Sequence, residues 1–177
     1  MHPLEEGPLA GTECTRLHGV ARHRPPALLG IISAVPLFHH IDLRVMWSDT
    51  DPAGIVWFGV FFRYFEHAEE DLYRRLGSDR TTLLSRLHIF MPRTSLQSGF
   101  RSPAKLGDKI SVGVGIAAIS DRRIGFAFDI HERGSGRLIC EASYRVACVD
   151  ATTFATRAFP DEVVSLLEPA RTTNGER

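Results

Sequence analysis

Residues 48–58 read Ser48-Asp49-Thr50-Asp51-Pro52-Ala53-Gly54-Ile55-Val56-Trp57-Phe58, and the hydrophobic period of the chain changes across them. Before this stretch, Phe38–Trp47 alternates apolar and polar residues through Ile41, Leu43, Val45 and Trp47, the period of a half-buried strand. After it, Phe61, Phe65, Ala68, Leu72 and Leu76 follow one another by four, three, four and four residues, and Gly77 supplies a stop. This spacing predicts one long amphipathic helix beginning at Ile55. A short helix is expected over Thr81–Leu87. Strands are expected over Ile89–Phe100, Lys109–Ser120, Arg123–Glu132 and Leu138–Asp150, divided by Gly, Pro and Asp turns, with a closing helix over Pro160–Leu167. A strand, a long helix and then four strands make an α+β domain in which one antiparallel sheet must cover the helix, because neither element can otherwise bury its apolar face.

Composition narrows the function. A length of 177 residues fits one domain. Lys and Arg total 21, as do Asp and Glu, so no broad basic field for nucleic acid exists. Cys14, Cys140 and Cys148 have no CxxC spacing, which argues against a disulfide framework or a zinc site and fits a reducing cytoplasm. No apolar run approaches the roughly 20 residues of a membrane span, and the first 25 residues do not read as a secretory signal. His39-His40, His67 and His88 form no ligand-spaced set, so no metal is expected. Neither GxSxG nor a Cys with an assignable His suggests a triad hydrolase, and Gly113-Val114-Gly115 lacks the third glycine of a dinucleotide loop. Prolines 3, 8, 25, 26 and 36, without sustained periodicity, predict a disordered or loosely docked arm over 1–37. The folded domain is then 38–169 and the flexible tail 170–177.

The pattern Asp49-x-Asp51-x-x-Gly54-x-Val56, the Arg63-Tyr64-Phe65-Glu66 that follows it, and the hairpin segment RSPAKLGDKISV at 101–112 together resemble the 4-hydroxybenzoyl-CoA thioesterase family. The resemblance runs from about Ile41 to Val149. It implies the hot-dog fold, an antiparallel sheet wrapped around one long central helix. It also implies hydrolysis of an acyl-CoA thioester, aromatic or otherwise bulky, without metal or cofactor. Self-association as a homodimer or homotetramer is implied too, with each active site between subunits. Trp57-Phe58-Gly59 carries no His, which is closer to the branch acting on aromatic acyl-CoA.

Thioester cleavage needs a group that attacks the carbonyl or activates water, and a fixed donor for the oxygen that gains charge. The resemblance gives the first role to Asp51 and the second to the backbone N–H of Phe58. Asp51 acts either as nucleophile, through a mixed anhydride, or as general base. Asp49 reads as a cap or loop residue, and Pro52 and Gly54 as turn formers, with Gly54 leaving room for substrate. Trp57 lines the acyl pocket in this reading. Glu66 has two readings: a contact to the acyl ring and reserve catalytic group, or a solvated glutamate on a flank shared with Phe62, Glu69 and Tyr73. The family meets CoA phosphates with an Arg-Arg-Lys run, which here reads Arg122-Arg123-Ile124, so two guanidinium groups remain. Lys105 and Arg101 are candidates for the missing charge. Two alternatives stay open: a thioesterase acting on acyl-carrier-protein thioesters, and a noncatalytic acyl-CoA-binding module.

Overall fold

A computed structural model of the chain describes residues 37–172. Apart from Leu37, the arm expected over 1–37 lies outside the described residues, as does the tail beyond Thr172. The elements are β1 (His39–Arg44), α1 (Phe58–Arg75), α2 (Arg80–Arg86), β2 (Ile89–Phe90), β3 (Arg93–Phe100), β4 (Lys109–Ser120), β5 (Arg123–Glu132), β6 (Leu138–Ala147), β7 (Val149–Asp150) and α3 (Asp161–Leu167). Five strands pair antiparallel in the order β1-β4-β5-β6-β3, with α1 packed against the sheet through β4 and β1. The expected α+β architecture is present. Among the described residues no helix is long and apolar enough to cross a membrane.

Alternation decides which face of each strand is buried. In β4, Ile110, Val112, Val114 and Ile116 are fully buried toward the helix, while Ser111, Gly113 and Gly115 point to the other face. Gly113 has no room for a side chain, since a Cβ there would lie 2.4 Å from Asp129 Oδ1. From α1, Phe65, Ala68 and Leu72 fill the same core, and the Phe65 ring lies 4.8 Å from that of Phe128. Burying a side chain such as Phe65 or Leu72 contributes about 1.5–3 kcal/mol. Gly77 ends the helix as expected: its φ is +84° and its N–H donates to the Arg74 carbonyl.

Four expectations need correction. α1 begins at Phe58, not Ile55, because Ile55 and Val56 stay extended, bridged to Lys105 and Thr50, with the Val56 N–H donated to Ala104 O at 2.9 Å. Trp47 does not continue the buried alternation; a 3-10 turn over Trp47–Asp49 leaves it 80% exposed. The strand expected over Ile89–Phe100 divides into β2 and β3 at Met91-Pro92, since proline has no N–H for a ladder. The last strand divides at Cys148, whose N–H turns to Arg122 O at 3.2 Å, and β7 pairs instead with β2.

The strands give the molecule two ends. Arg44, Lys109 and Phe100 lie at the end where α1 starts; His39, Ser120 and Arg93 lie at the end where it finishes. β3 is an edge strand with Leu96 41% and Phe100 50% exposed.

Candidate active site

The loop between β1 and α1 is tied down by Asp49. Its side chain is 2% exposed, accepts hydrogen bonds from the Met46 N–H and the Tyr64 hydroxyl at 2.8 Å each, and pairs with Arg63. Its carbonyl accepts from the Trp57 N–H at 3.2 Å. Burial and the bond to Asp49 push the Tyr64 hydroxyl pKa upward, so the phenol keeps its proton and donates. Asp49 is thus committed to holding the loop.

Asp51, two residues on, is held differently. Its N–H donates to Ile55 O and its C=O accepts from the Gly54 N–H, each at 2.9 Å, and Oδ1 accepts from the Ala53 N–H at 2.9 Å. The remaining oxygen, Oδ2, has no hydrogen-bond partner among the described residues. Gly54 makes the turn possible with a φ of +74°; a Cβ there would meet nothing within 4 Å, so conformation rather than crowding selects glycine. Asp51 is a wall common to two cavities. The larger, about 630 Å³, is lined by Ile55, Val56, Trp57, Phe58, Phe61 and Phe100. The smaller, about 480 Å³, is lined by Trp47, Pro52, Gly54 and Leu106.

Phe58 is the first residue of α1 after the cap Trp57, and no hydrogen bond occupies its N–H among the described residues. The positive end of the helix dipole therefore opens on the same cavity as the Asp51 carboxylate. The Trp57 ring crosses the helix start, meeting Phe58 edge-on at 5.4 Å between centroids. It lies so close to Gly59 that a Cβ there would sit 2.1 Å from the ring.

Of the site residues expected from sequence, Asp51, Trp57 and Phe58 converge on the larger cavity, and Gly54 borders the smaller one. Glu66, Arg122 and Arg123 do not join them within one chain. Glu66 is exposed on α1, on the Arg93 side. Arg122 and Arg123 are exposed at the β4–β5 hairpin, beyond the far end of β4 from Lys109, and 12 extended residues span roughly 36 Å. Ile124, in the place of the family's third cation, is fully buried. Lys105 is exposed beside the loop, whereas Arg101 lines the larger cavity with its guanidinium paired to buried Glu141.

The sequence reading missed the group around Glu69. This carboxylate is 1% exposed, faces Arg80 Nε at 3.1 Å and Arg93 Nη2 at 2.7 Å, and accepts from the Tyr144 hydroxyl. Its partners stand far away in the chain, so spacing gives no signal of them. Among the described residues no group of three His, Cys, Asp or Glu is placed to hold a metal.

Comparison with known proteins shows the family and the fold. The family described as the thioesterase-like superfamily matches residues 45–167. An acyl-CoA thioesterase YbgC of Haemophilus influenzae is 28% identical over 121 residues, covering 68% of this chain and 88% of that protein. A 1,4-dihydroxy-2-naphthoyl-CoA hydrolase of Thermosynechococcus vestitus is 26% identical over 126 residues, covering 71% and 86%. Among solved structures, a gentisyl-coenzyme A thioesterase superposes with a TM-score of 0.64 at 21% identity, over 73% of this chain and 99% of the other. The fold of these proteins is shared.

Proposed function

The chain belongs to the thioesterase-like superfamily, and from that premise we propose that it hydrolyses acyl-CoA thioesters with the carboxylate of Asp51 at the reacting carbonyl. The observation that carries this reading is the shared cavity: a carboxylate oxygen and a helix N–H, neither with a partner among the described residues, border the same apolar space. The Ala53 N–H fixes the carboxylate through Oδ1, leaving Oδ2 either to attack the thioester carbonyl, giving a mixed anhydride that water then cleaves to the free acid, or to take the proton of a water that itself attacks that carbonyl. The N–H of Phe58 then donates to the oxygen as it gains charge, before the thiolate of CoA leaves. Trp57, Phe58, Phe61 and Phe100 give the cavity aromatic walls, which suits a bulky or aromatic acyl group, the class that the Thermosynechococcus relative's name describes.

The same reading includes a homodimer. β3 offers an edge that is unpaired among the described residues, with Leu96 and Phe100 exposed, and antiparallel pairing of two such edges sets the Arg93 end of one protomer beside the Phe100 end of the other. Glu66 and the Arg122–Arg123 hairpin of one protomer then approach Asp51 of its partner. The arginines meet CoA phosphates and Glu66 faces the acyl group.

The test is thiol release from benzoyl-, hydroxybenzoyl- and straight-chain acyl-CoA by wild type and Asp51→Asn. The variant should fold, bind substrate and lose about 10²–10⁴-fold in kcat. Wild-type kcat in the folded variant would remove Asp51 from its role. A strong preference for the matching acyl-carrier-protein thioester would replace CoA as the substrate's carrier.

A further inference from the structure

We propose that a second cavity, at the opposite end of α1 from Asp51, binds an aromatic carboxylate through Arg80. This cavity, about 380 Å³, opens between α2, β2 and the turn after β7, and its walls include Arg80, Leu84, Ser85, Phe90, Met91 and Phe154. That volume lies within the roughly 300–1,000 Å³ of ordinary small-molecule sites. The lining is apolar except for one guanidinium and the hydroxyls of Thr81 and Ser85. An occupant therefore needs an apolar body and one anionic end.

Charge around Arg80 favours an anion. Inside the buried group, the single carboxylate of Glu69 stands between two guanidinium groups, Arg80 Nε at 3.1 Å and Arg93 Nη2 at 2.7 Å. Glu66, whose field also reaches Arg93, is exposed to solvent. Glu69 therefore leaves one positive charge without a buried counterpart. Only 19% of the Arg80 side chain is exposed, its Nε lacks an aligned hydrogen bond, and its two terminal amino groups have no partner among the described residues. A planar fork of this kind matches a carboxylate.

The rim favours an aromatic ring. Phe90 is 47% and Phe154 67% exposed, with ring centroids 5.7 Å apart. Phe154 holds this place at a φ of +57°, a left-handed conformation unfavourable for a bulky side chain. The turn that imposes it is closed by the Phe154 N–H on Asp150 O and by the N–H groups of Thr152 and Thr153 on Asp150 Oδ1. Strain spent on keeping a ring at the surface beside a second exposed ring is explained by a third that stacks there. The carboxylate reaches Arg80, with the Thr81 and Ser85 hydroxyls beside it. This site stands apart from the chemistry at Asp51 and does not depend on it.

Calorimetric and NMR titration of the full chain with benzoate, phenylacetate and the neutral benzamide tests the assignment. Saturable binding of a carboxylate is expected, at least tenfold tighter than benzamide. Arg80→Gln should reduce benzoate to the level of benzamide, and Ser85→Trp, which fills the cavity without touching Glu69, should abolish binding. Phe154→Gly relieves the positive φ and removes the rim ring, so it should weaken benzoate several-fold in a folded protein. The NMR shifts that accompany this binding should include Phe90 and Phe154, which separates it from any benzoate held in the Asp51 cavity. Absence of saturable binding, equal affinity for benzamide, benzoate shifts at Phe90 that persist in Ser85→Trp, or undiminished affinity in Phe154→Gly would each overturn the proposal.

Discussion

The Tyr64 hydroxyl donates to Asp49 Oδ2 at 2.8 Å, and this bond fixes the loop between β1 and α1 to the second turn of α1. Both groups are buried, with the Tyr64 proton held in place by burial and by Asp49 itself. Asp49→Asn keeps the shape but loses the charge that serves the Met46 N–H, Arg63 and Tyr64 together. Arg63 is half exposed, so its share is screened. The expected cost is about 2 kcal/mol, roughly 6 °C in Tm, measured by thermal unfolding. A variant melting with the wild type would show that the loop is held by something else.

Gly59→Ala separates stability from activity. Alanine is the better helix former by up to about 1 kcal/mol, so the fold should be retained or slightly stabilised. The new Cβ would fall 2.1 Å from the Trp57 ring, which must leave the helix start and the cavity. Expected results are a shifted tryptophan emission, with Trp47 as the only other contributor, and a roughly tenfold or greater fall in kcat/KM. Wild-type kcat/KM alongside the shifted emission would mean that the position of Trp57 does not matter to the reaction.

The readable features were those carried by local pattern. Alternation through Ile41, Leu43 and Val45 and the α1 stripe ending at Gly77 identified the strand and helix because burial repeats with the backbone period. The helix start was misread because Ile55 and Val56 are apolar in either conformation, and only their bridges to Lys105 and Thr50 decide it. Asp51 and Phe58 were singled out by the family resemblance of their motif, and the short stretch between them brings both to one cavity. The Glu69 group was not, since Arg93 is 24 and Tyr144 is 75 residues away and a lone glutamate on a helix flank gives no sign of burial.

The β5–β6 hairpin should show its own pH dependence. Glu132 accepts from the Gly134 and Ser135 N–H groups at 2.8 and 2.7 Å and from the Ser135 hydroxyl at 2.6 Å. The Ser135 hydroxyl and these backbone bonds lower its pKa from 4.5 to about 2. Because the folded value is depressed, the unfolded chain binds more protons between those limits. The contribution to stability is therefore complete above about pH 4.5 and is lost as pH falls toward 2. An NMR titration should place the Glu132 midpoint near 2, and Ser135→Ala should raise it. A midpoint near 4.5 in the wild type would mean that the turn does not hold the carboxylate.

The distance between Asp51 and the arginine hairpin makes subunit sharing testable in mixtures. Within one chain, β4 alone separates them by roughly 36 Å, so arginines serving CoA at Asp51 must come from the partner. The double variant Arg122→Gln/Arg123→Gln should raise KM about tenfold with little change in kcat, as expected for lost contacts to phosphates. Asp51→Asn should be nearly inactive. When the two are co-expressed, half of the dimers are mixed, and each mixed dimer carries one site with both Asp51 and the arginines intact and one with neither. At low substrate the mixture should recover about a quarter of wild-type kcat/KM, well above the mean of its parents, roughly one twentieth. Activity equal to that mean would instead keep Asp51 and its arginines in the same chain.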